Sequence, residues 1–336
     1  MKKFYVGIDV SKEKLDFCLY FESNVLKEEF LANNSKELLN EFKRWEKEFC
    51  QPKESWIICA EYTGMYTYPL SCACEEFGVD LWLENPAQIK YRSGVQRGKN
   101  DKMDARKIAV YAERFISEIQ LYSIPQKNMA SLRLMVAERD LYVSDKKKYQ
   151  GQLSDQQRFM SPNDFKVKSR RLKSVIDELE KQIDEIDREI QKVIDNDETL
   201  SNQHKLLLTV DGVGERVAVK MIIETNGFKD FTDPRKFCCH AGVAPFKFTS
   251  GSSVRSRNKV SNRADKSIKS LLHMAALVVT TTKKDGELRE YYLRKVAEGK
   301  NKMTVLNAVR AKLVYRMFAV IRDNKFYEKN YVHQLA

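Results

Sequence analysis

The stretch Phe4-Tyr5-Val6-Gly7-Ile8-Asp9-Val10-Ser11 places one carboxylate in an otherwise apolar segment near the N-terminus. Apolar side chains alternate with smaller or polar ones, and this period of two predicts a β-strand with the apolar residues on one face. Asp9 shares the other face with Gly7, whose missing side chain leaves room for something to approach. A carboxylate in such a strand needs a partner, a water-lined cleft or a metal. Considered alone, Asp9 is more simply explained as a strand-end residue that hydrogen-bonds the following turn.

The composition is typical of a folded protein that binds a polyanion. The 336 residues include 43% hydrophobic and 32% charged residues and carry a net charge of +12. This length suffices for two domains with a helical connector. The positive charge favours nucleic acid as the partner, with an anionic membrane surface second. No apolar run approaches membrane-spanning length, and the N-terminal stretch is too short for a signal peptide.

The seven cysteines are an odd set without paired C-x-x-C units, which makes structural zinc an unattractive explanation. We interpret them as reduced thiols of a cytosolic protein.

The N-terminal third predicts a mixed α/β domain. Three strands are expected over residues 4–31, and after a helix capped at Asn34 a further buried strand ends on Glu61. One more helix and one more strand lead to residue 83. Strands that first form hairpins and then alternate with helices indicate a mixed sheet.

Two more acids follow a basic loop. Arg97 and Lys99 lie in that loop, and the helix after it begins with Asp101 and carries Asp104. Residues three apart share one helical face and lie about 5–6 Å from each other. Without further context, the pair is better explained as acids that suit the dipole at the start of a helix.

The middle of the chain is charged and helical. A polar interruption near Ser161-Pro162 predicts two helices over residues 126–197, which we expect to form an antiparallel hairpin. Apolar residues then recur at spacings of three and four from Ile176 to Val193. Because this stripe is narrow, it favours a coiled coil or dimer contact slightly over an amphipathic helix packed on its own domain.

The last third combines a tight glycine turn with a basic loop. Val210-Asp211-Gly212-Val213-Gly214 resembles a helix-hairpin-helix, in which turn amides hold a phosphate, although Gly-x-Gly closes many unrelated turns. A loop from Phe246 to Ser270 carries Ser250-Gly251-Ser252-Ser253 at its tip and favours a phosphate-contacting surface over a merely solvated one. Its basic residues are Lys247, Arg255, Arg257, Lys259, Arg263, Lys266 and Lys269.

These patterns predict three domains. Residues 1–122 form an α/β domain with a mixed sheet, residues 123–200 a helical, coiled-coil connector, and residues 201–336 a mainly α domain. Phosphate contacts are expected at Arg97, Lys99, Gly212, Gly214, Arg255, Arg257, Lys259 and Arg263.

Four acids from separate elements suggest one chemistry. Asp9 and Glu61 end strands, and Asp101 and Asp104 lie on a following helix. Carboxylate oxygens are the ligands that hard divalent cations prefer. Two such ions about 3.5–4 Å apart can activate a nucleophile and stabilise the leaving oxygen in phosphodiester cleavage. The sequence therefore predicts a Mg²⁺ or Mn²⁺ site.

In these motifs the chain resembles the DEDD insertion-sequence transposases and the related Piv-type DNA invertases. Gly-Ile-Asp-Val-Ser at Asp9, Ala-Glu-Tyr-Thr-Gly at Glu61 and Lys-Asn-Asp-Lys-Met-Asp-Ala at Asp101 match the acids of that family. Val210-Asp-Gly-Val-Gly, His240-Ala-Gly-Val-Ala-Pro and Ser250-Gly-Ser-Ser-Val-Arg match its transposase domain. The resemblance covers nearly the whole chain and implies a RuvC-like, ribonuclease-H-like N-terminal domain.

The resemblance also implies a mechanism and partners. A serine would attack DNA and hold it covalently, with Ser250 as the nucleophile and Ser252 and Ser253 as rivals. Donor and target DNA would be chosen by a structured, element-encoded RNA. The protein would assemble as a homo-oligomer, dimer or tetramer, which the stripe from Ile176 to Val193 would suit. It would work in the prokaryotic cytoplasm, at the nucleoid, without a membrane partner.

Three alternatives remain open from the residues. The first is a RuvC-like junction nuclease that hydrolyses DNA with water. The second is an actin-like ATPase or sugar kinase, whose first phosphate loop Gly7-Ile8-Asp9-Val10-Ser11 resembles, although the sequence lacks a second glycine-rich phosphate loop with an Asp. The third is a non-catalytic nucleic-acid-binding protein, which the four acids make least attractive.

Overall fold

The computed structural model describes residues 3–93, 101–245, 249–250, 254–255, 260, 264–282 and 285–329. The chain divides into two compact units, Met1–Pro125 and Gln126–Ala336. The predicted division into three domains stays a prediction. In the part of the chain that the structure describes, no helix combines the length and the apolar character needed to cross a membrane.

The N-terminal unit is built on one five-stranded sheet with the strand order β3-β2-β1-β4-β5. β1 to β3 form an antiparallel meander, and β4 and β5 follow as parallel neighbours of β1. The strands are β1 (Phe4–Val10), β2 (Lys14–Phe21), β3 (Asn24–Ala32), β4 (Trp56–Glu61) and β5 (Asp80–Glu84). This mixed sheet confirms the predicted α/β fold class of the N-terminal part.

Helices cover both faces of the sheet. They are α1 (Ser35–Phe49), α2 (Tyr68–Phe77), α3 (Pro86–Arg92) and α4 (Asp101–Arg114). The predicted cap of α1 is confirmed, because the Asn34 side chain accepts hydrogen bonds from the backbone N–H groups of Lys36 and Glu37. The face under α1 and α2 is an apolar core that includes Trp45 and Trp56. The face under α4 is a second, smaller cluster.

The C-terminal unit is mainly helical, as predicted. Its helices are α5 (Lys127–Gln156), α6 (Pro162–Asp195), α7 (Glu198–Leu208), α8 (Glu215–Glu224), α9 (Pro234–His240), α10 (Lys266–Leu277), α11 (Glu287–Ala297) and α12 (Lys302–Asp323). A π-helical turn, Val278–Thr282, extends α10. α12 lies at the centre of the core, with Leu313 and Met317 fully buried.

The predicted antiparallel hairpin is observed. Arg139 pairs with Asp187, and Lys146 with Glu180, so numbers rise along α5 as they fall along α6. The stripe from Ile176 to Ile190 is buried within the single chain, against residues of its own unit. This burial fits the coiled-coil interpretation within one chain, and the dimer contact stays a prediction.

The serine segment also differs from the prediction of one long loop. Two short strands, β6 (Thr249–Ser250) and β7 (Val254–Arg255), pair with each other. α10 begins at Lys266, after Asp265, whose side chain accepts a hydrogen bond from the backbone N–H of Ile268 at 2.9 Å.

All seven cysteines are free thiols, which agrees with their interpretation as reduced.

Candidate active site

Two parallel strands carry neighbouring carboxylates near their C-terminal ends. β1 and β4 are parallel, and Ile8 is the register partner of Ala60. The next residue of each strand is an acid, Asp9 in β1 and Glu61 in β4. Adjacent strands lie about 4.8 Å apart, so these residues end side by side at one edge of the sheet. Both are partly exposed.

Gly7 brings α4 onto this part of the sheet. A Cβ at Gly7 would lie 2.2 Å from the carbonyl oxygen of Ala105 and 2.2 Å from the backbone nitrogen of Ala109. The helix backbone therefore rests directly on β1, and the small side chains of Ala105 and Ala109 permit the contact. The approach predicted from the missing side chain is confirmed, and the approaching element is the helix that carries the other two acids.

This contact determines where Asp104 lies. Asp104 immediately precedes Ala105, whose carbonyl stands over Gly7, two residues before Asp9 in the strand. Its carboxylate is partly buried and pairs with Lys107 on the next turn, at 2.5 Å. Asp101 is the first residue of α4, and its side chain lies outside the described part of the structure.

The donor set fits a hard divalent cation, since all its oxygens are carboxylate oxygens. Among the residues that the structure describes, no group of three or more His, Cys, Asp and Glu side chains has the geometry to hold a metal ion. The side chain of Asp101, the third of the predicted ligands, is not among those residues.

Two acids that sequence reasoning missed stand beside the predicted ones. Asp16 in β2 is the register partner of Asp9 and is only 4% exposed. Glu84 in β5 is the register partner of Glu61. The signal that could have found Asp16 is the hairpin itself, because opposite residues in an antiparallel pair share one face.

The pKa values of two buried groups near these acids, Cys59 and Tyr111, are raised in part by neighbouring negative charge. Burial raises the pKa of the Cys59 thiol well above its usual range, and the charges of Glu84 and Glu61 raise it further. The pKa of Tyr111 is likewise raised by burial and by its hydrogen bond to Glu84. Carboxylates gathered at one edge of a sheet repel each other, and a bound cation stabilises the protein by reducing that repulsion.

In the C-terminal unit the glycine turn is used for packing. Gly212 has φ of +83°, and a Cβ there would lie 2.3 Å from Cγ1 of Val279 on the π-helical turn. The positive φ and the lack of space each favour glycine at this position without a bound phosphate. Gly214 is the residue before α8, and a Cβ added there would meet open space. Of the two predicted phosphate-contacting glycines, Gly214 is the one with free space beside it.

A buried histidine joins the two helices of this turn. Nε2 of His204 on α7 lies 2.6 Å from a carboxylate oxygen of Glu215, the first residue of α8. His204 is 4% exposed, whereas the carboxylate faces solvent. Nothing in the local pattern indicated this pair, because its partners are eleven positions apart on different helices.

The two ends of the serine segment are held together. The backbone N–H of Asp265 donates to the carbonyl of His240 at 3.1 Å, and Nδ2 of Asn307 on α12 donates to the carbonyl of Val243 at 2.6 Å. The segment between these anchors contains Ser250, which is the register partner of Val254.

Most predicted contact residues of this segment and of the earlier basic loop lie outside the described residues. Only the backbone is described for Ser250 and Arg255. The predicted residues that fall outside are Arg97, Lys99, Ser252, Ser253, Arg257, Lys259 and Arg263.

His240, where the serine segment begins, belongs to a charged cluster with Glu224 and Lys220. Its Nε2 lies 3.3 Å from Glu224, which also pairs with Lys220 at 2.9 Å. Burial alone would raise the pKa of Glu224, but its hydrogen bonds to His240 and Lys220 outweigh burial and lower the pKa to about 2. This carboxylate therefore stays ionised and fixes the end of α9.

Two models of one family of proteins match this chain. A family model described as a transposase of the DEDD, IS110 type matches residues 6–162, and the model of the transposase IS116/IS110/IS902 family matches residues 204–293. The first contains the strand and helix acids, and the second contains the glycine turn and the serine segment. Such a chain is an enzyme that cuts and rejoins DNA.

The chain belongs to the IS110 family of transposases. It is 24% identical to the pilin gene-inverting protein of Moraxella bovis over 342 residues, which cover 99% of this chain and 100% of that protein. The corresponding protein of Moraxella lacunata matches with the same figures. An uncharacterized 43.6 kDa protein of insertion element IS110 from Streptomyces coelicolor is 26% identical over 123 residues, or 37% of this chain and 30% of that protein.

Among solved structures, Thermus thermophilus RuvC in complex with a Holliday junction substrate matches with a TM-score of 0.28 and 14% identity. The match covers 36% of this chain and 99% of that one. A likeness of this extent supports no inference about the chemistry.

Proposed function

We propose that the chain recombines DNA through a serine nucleophile, assisted by divalent metal at the sheet edge. The observation that supports the proposed metal site is the contact of α4 with Gly7. Because the backbone of α4 rests on β1, the strand that carries Asp9 and the helix that carries Asp101 and Asp104 are held in one fixed arrangement.

Asp9, Glu61, Asp101 and Asp104 would hold Mg²⁺ or Mn²⁺, which when bound neutralises the charge that develops on a phosphodiester. These acids lie on strands and at the start of a helix whose backbones are supported by buried residues, so their backbone positions are fixed before any ligand arrives.

The covalent step belongs to Ser250. Its Oγ would attack a DNA phosphorus, forming a serine–phosphate bond while the bond from phosphorus to one sugar oxygen breaks. The hydroxyl proton passes to a basic group, and the departing sugar oxygen takes up a proton to become a hydroxyl. Attack by a second sugar hydroxyl then reverses the step, which rejoins DNA and restores the serine. Ser252 and Ser253 are the alternative nucleophiles.

The charge of the chain supports DNA and a structured, element-encoded guide RNA as partners, with a net charge of +12. The basic residues that would contact their phosphates are Arg97, Lys99, Arg255, Arg257, Lys259 and Arg263, together with the amides at Gly212 and Gly214. We further propose a homo-oligomer, dimer or tetramer, at the nucleoid of a prokaryotic cytoplasm. The stripe on α6 is not needed for that assembly, since it is buried within the chain.

Trapping the covalent intermediate tests the serine. Labelled DNA is incubated with the purified protein and Mg²⁺, and the reaction is stopped in denaturant and separated on a gel. We expect DNA that migrates with the protein, and its loss in Ser250→Ala but not in Ser252→Ala or Ser253→Ala. If all three variants still cleave and rejoin DNA, the serine mechanism is wrong. Cleaved DNA that is never protein-linked and never rejoined would instead indicate a hydrolytic junction nuclease.

Sequencing the RNA that co-purifies from the host tests the guide. We expect one structured RNA encoded beside the gene. Recovery of only random cellular RNA would show that the protein selects DNA without a guide.

A further inference from the structure

The strand beside β1 carries a buried carboxylate that faces Asp9. Asp16 and Asp9 are register partners in the antiparallel pair of β1 and β2, so their side chains leave the same face of the sheet. Opposed residues in such a pair have Cβ atoms about 4.5–5.5 Å apart. Like charges in that position repel, and Asp16 is only 4% exposed.

Glu84, on the same face, has hydrogen-bond partners that belong to the fold. One of its carboxylate oxygens accepts a hydrogen bond from the Tyr111 hydroxyl at 3.0 Å, and the other accepts from the backbone N–H of Asn85 at 2.7 Å. Both of its partners are neutral groups built into the fold. Glu84 therefore orients Tyr111 over the sheet.

Asp16 has a different kind of partner. Its Oδ2 lies 2.9 Å from Nζ of Lys14, two residues earlier on the same strand. The Lys14 side chain is 42% exposed, and its Nζ also lies 6.0 Å from the centre of the Phe30 ring, which is 64% exposed. The Lys14 side chain is flexible, so its ammonium group can leave Asp16 and make a cation–π contact with the Phe30 ring instead.

We propose that Asp16 is a positioning residue of the metal centre. When no metal is bound, Lys14 is the counter-ion that balances the charge of Asp16. The inference rests on the proposed metal role of Asp9. Asp16 is outside the four acids of the family motif and acts through Asp9, by adding negative charge directly across the strand pair. Supporting groups of this kind set metal affinity, and their removal typically weakens it about 10–100-fold.

Mn²⁺ binding to the full-length protein, followed by electron paramagnetic resonance of the free ion, tests this proposal. Asp16→Asn removes the charge and preserves the shape. We expect it to weaken Mn²⁺ binding by about 10–100-fold without lowering the unfolding temperature of the apo protein, because the repulsion from Asp9 is removed at the same time. Asp80→Asn is the matched control, since Asp80 lies on the same sheet face at the opposite end of β5 and is exposed.

Lys14→Gln provides an independent arm, should Asp16→Asn fail to fold. It removes the competing counter-ion and leaves the carboxylate, so we expect Mn²⁺ to bind more tightly than in the parent. If Asp16 only pairs with Lys14 for stability, both variants lower the unfolding temperature and neither changes Mn²⁺ affinity, which overturns the inference.

Asp9→Asn separates this inference from the proposed function. If Asp9→Asn abolishes Mn²⁺ binding and Asp16→Asn leaves it at the parent value, only the role of Asp16 is wrong. If Asp9→Asn binds Mn²⁺ like the parent, the metal role of the four acids is wrong, and the role of Asp16 falls with it.

Discussion

The two faces of the N-terminal sheet are made from the same five strands but from different kinds of residue. Under α1 and α2 the face is filled with large rings, and the centroids of Phe4 and Trp56 lie 4.9 Å apart. Where α4 crosses β1 the residues are small, with Gly7 against Ala105 and Ala109, although Trp82 and Tyr111 pack elsewhere on that face. The first face gains stability from buried volume throughout, whereas the second gives up volume at β1 so that a helix backbone can lie on the strand.

The difference assigns separate roles to neighbouring residues of one strand. Phe4 points into the aromatic core, and Asp9 points to the face that α4 covers. One face of the strand contributes mainly to stability and the other to chemistry. Substitutions on the two faces should therefore have separate effects on the free energy of unfolding and on DNA cleavage.

The largest expected effect is the loss of chemistry in Asp9→Asn. Losing a metal ligand removes several kcal/mol of transition-state stabilisation, so DNA strand cleavage should fall by more than about 1,000-fold. The unfolding temperature should stay at or above the parent value, because one of two facing carboxylates is neutralised. Cleavage assays and thermal unfolding check both parts. Retained cleavage in this variant would remove Asp9 from the site.

The next effect is on stability alone, in Phe4→Ala on the same strand. Phe4 is fully buried, and removing such a ring costs about 3–5 kcal/mol in the free energy of unfolding. Chemical denaturation measures this cost. Cleavage per folded molecule, measured well below the unfolding temperature, should match the parent. A folded but inactive Phe4→Ala protein would show that the two faces are not separable.

Gly7→Ala should affect both properties to a smaller extent. Its methyl group would meet the backbone of α4, so relief requires a shift of the helix, with an overpacking cost of about 1–3 kcal/mol. Cleavage should fall with it, because Asp101 and Asp104 move with α4. Gly151→Ala on α5 is the control, since a Cβ there meets open space and should stabilise the helix by about 0.5–1 kcal/mol. Unchanged cleavage in Gly7→Ala would contradict the positioning role of α4.

The smallest expected effect is local opening of the sheet face under α4. The reactivity of buried cysteines toward an alkylating reagent measures this opening. Burial, and then the charge of Glu28, raises the pKa of Cys18 to about 11, so its reactive thiolate forms only as the pH approaches that value. At pH 8.5 we expect iodoacetamide to label exposed Cys50 and to spare Cys18 and Cys59 under α4 and Cys74 in the aromatic core.

In Gly7→Ala, labelling of Cys18 and Cys59 should rise about 5-fold for each kcal/mol by which α4 is loosened, while Cys74 stays protected. Mass spectrometry of the alkylated peptides measures all four sites. Equal deprotection of Cys74 would mean that the substitution loosens the whole unit and not one face.

The sequence predicts those features that depend on neighbours along the chain. The strands over residues 4–31, the cap at Asn34 and the break before α6 follow from local alternation, capping and polar interruption. The place for α4 was visible as a missing side chain at Gly7, because that glycine shares the face of Asp9.

Features that depend on register or on tertiary packing were not predictable in the same way. Asp16 faces Asp9 only because of the hairpin register, and Glu84 meets Tyr111 across 27 positions. The spacing of the stripe on α6 defines an apolar face but not what covers it, and only the packing shows that residues of the same chain bury it. His204 and Glu215 likewise meet only after α7 and α8 have packed.

Anomalous diffraction from crystals of the full-length protein soaked in Mn²⁺ tests the central claim most directly. The account predicts an anomalous peak at the edge of the sheet, with oxygens of Asp9 and Asp104 both within about 2.0–2.3 Å. Peaks confined to other carboxylates, with Asp9 and Asp104 unligated at saturating Mn²⁺, would contradict it.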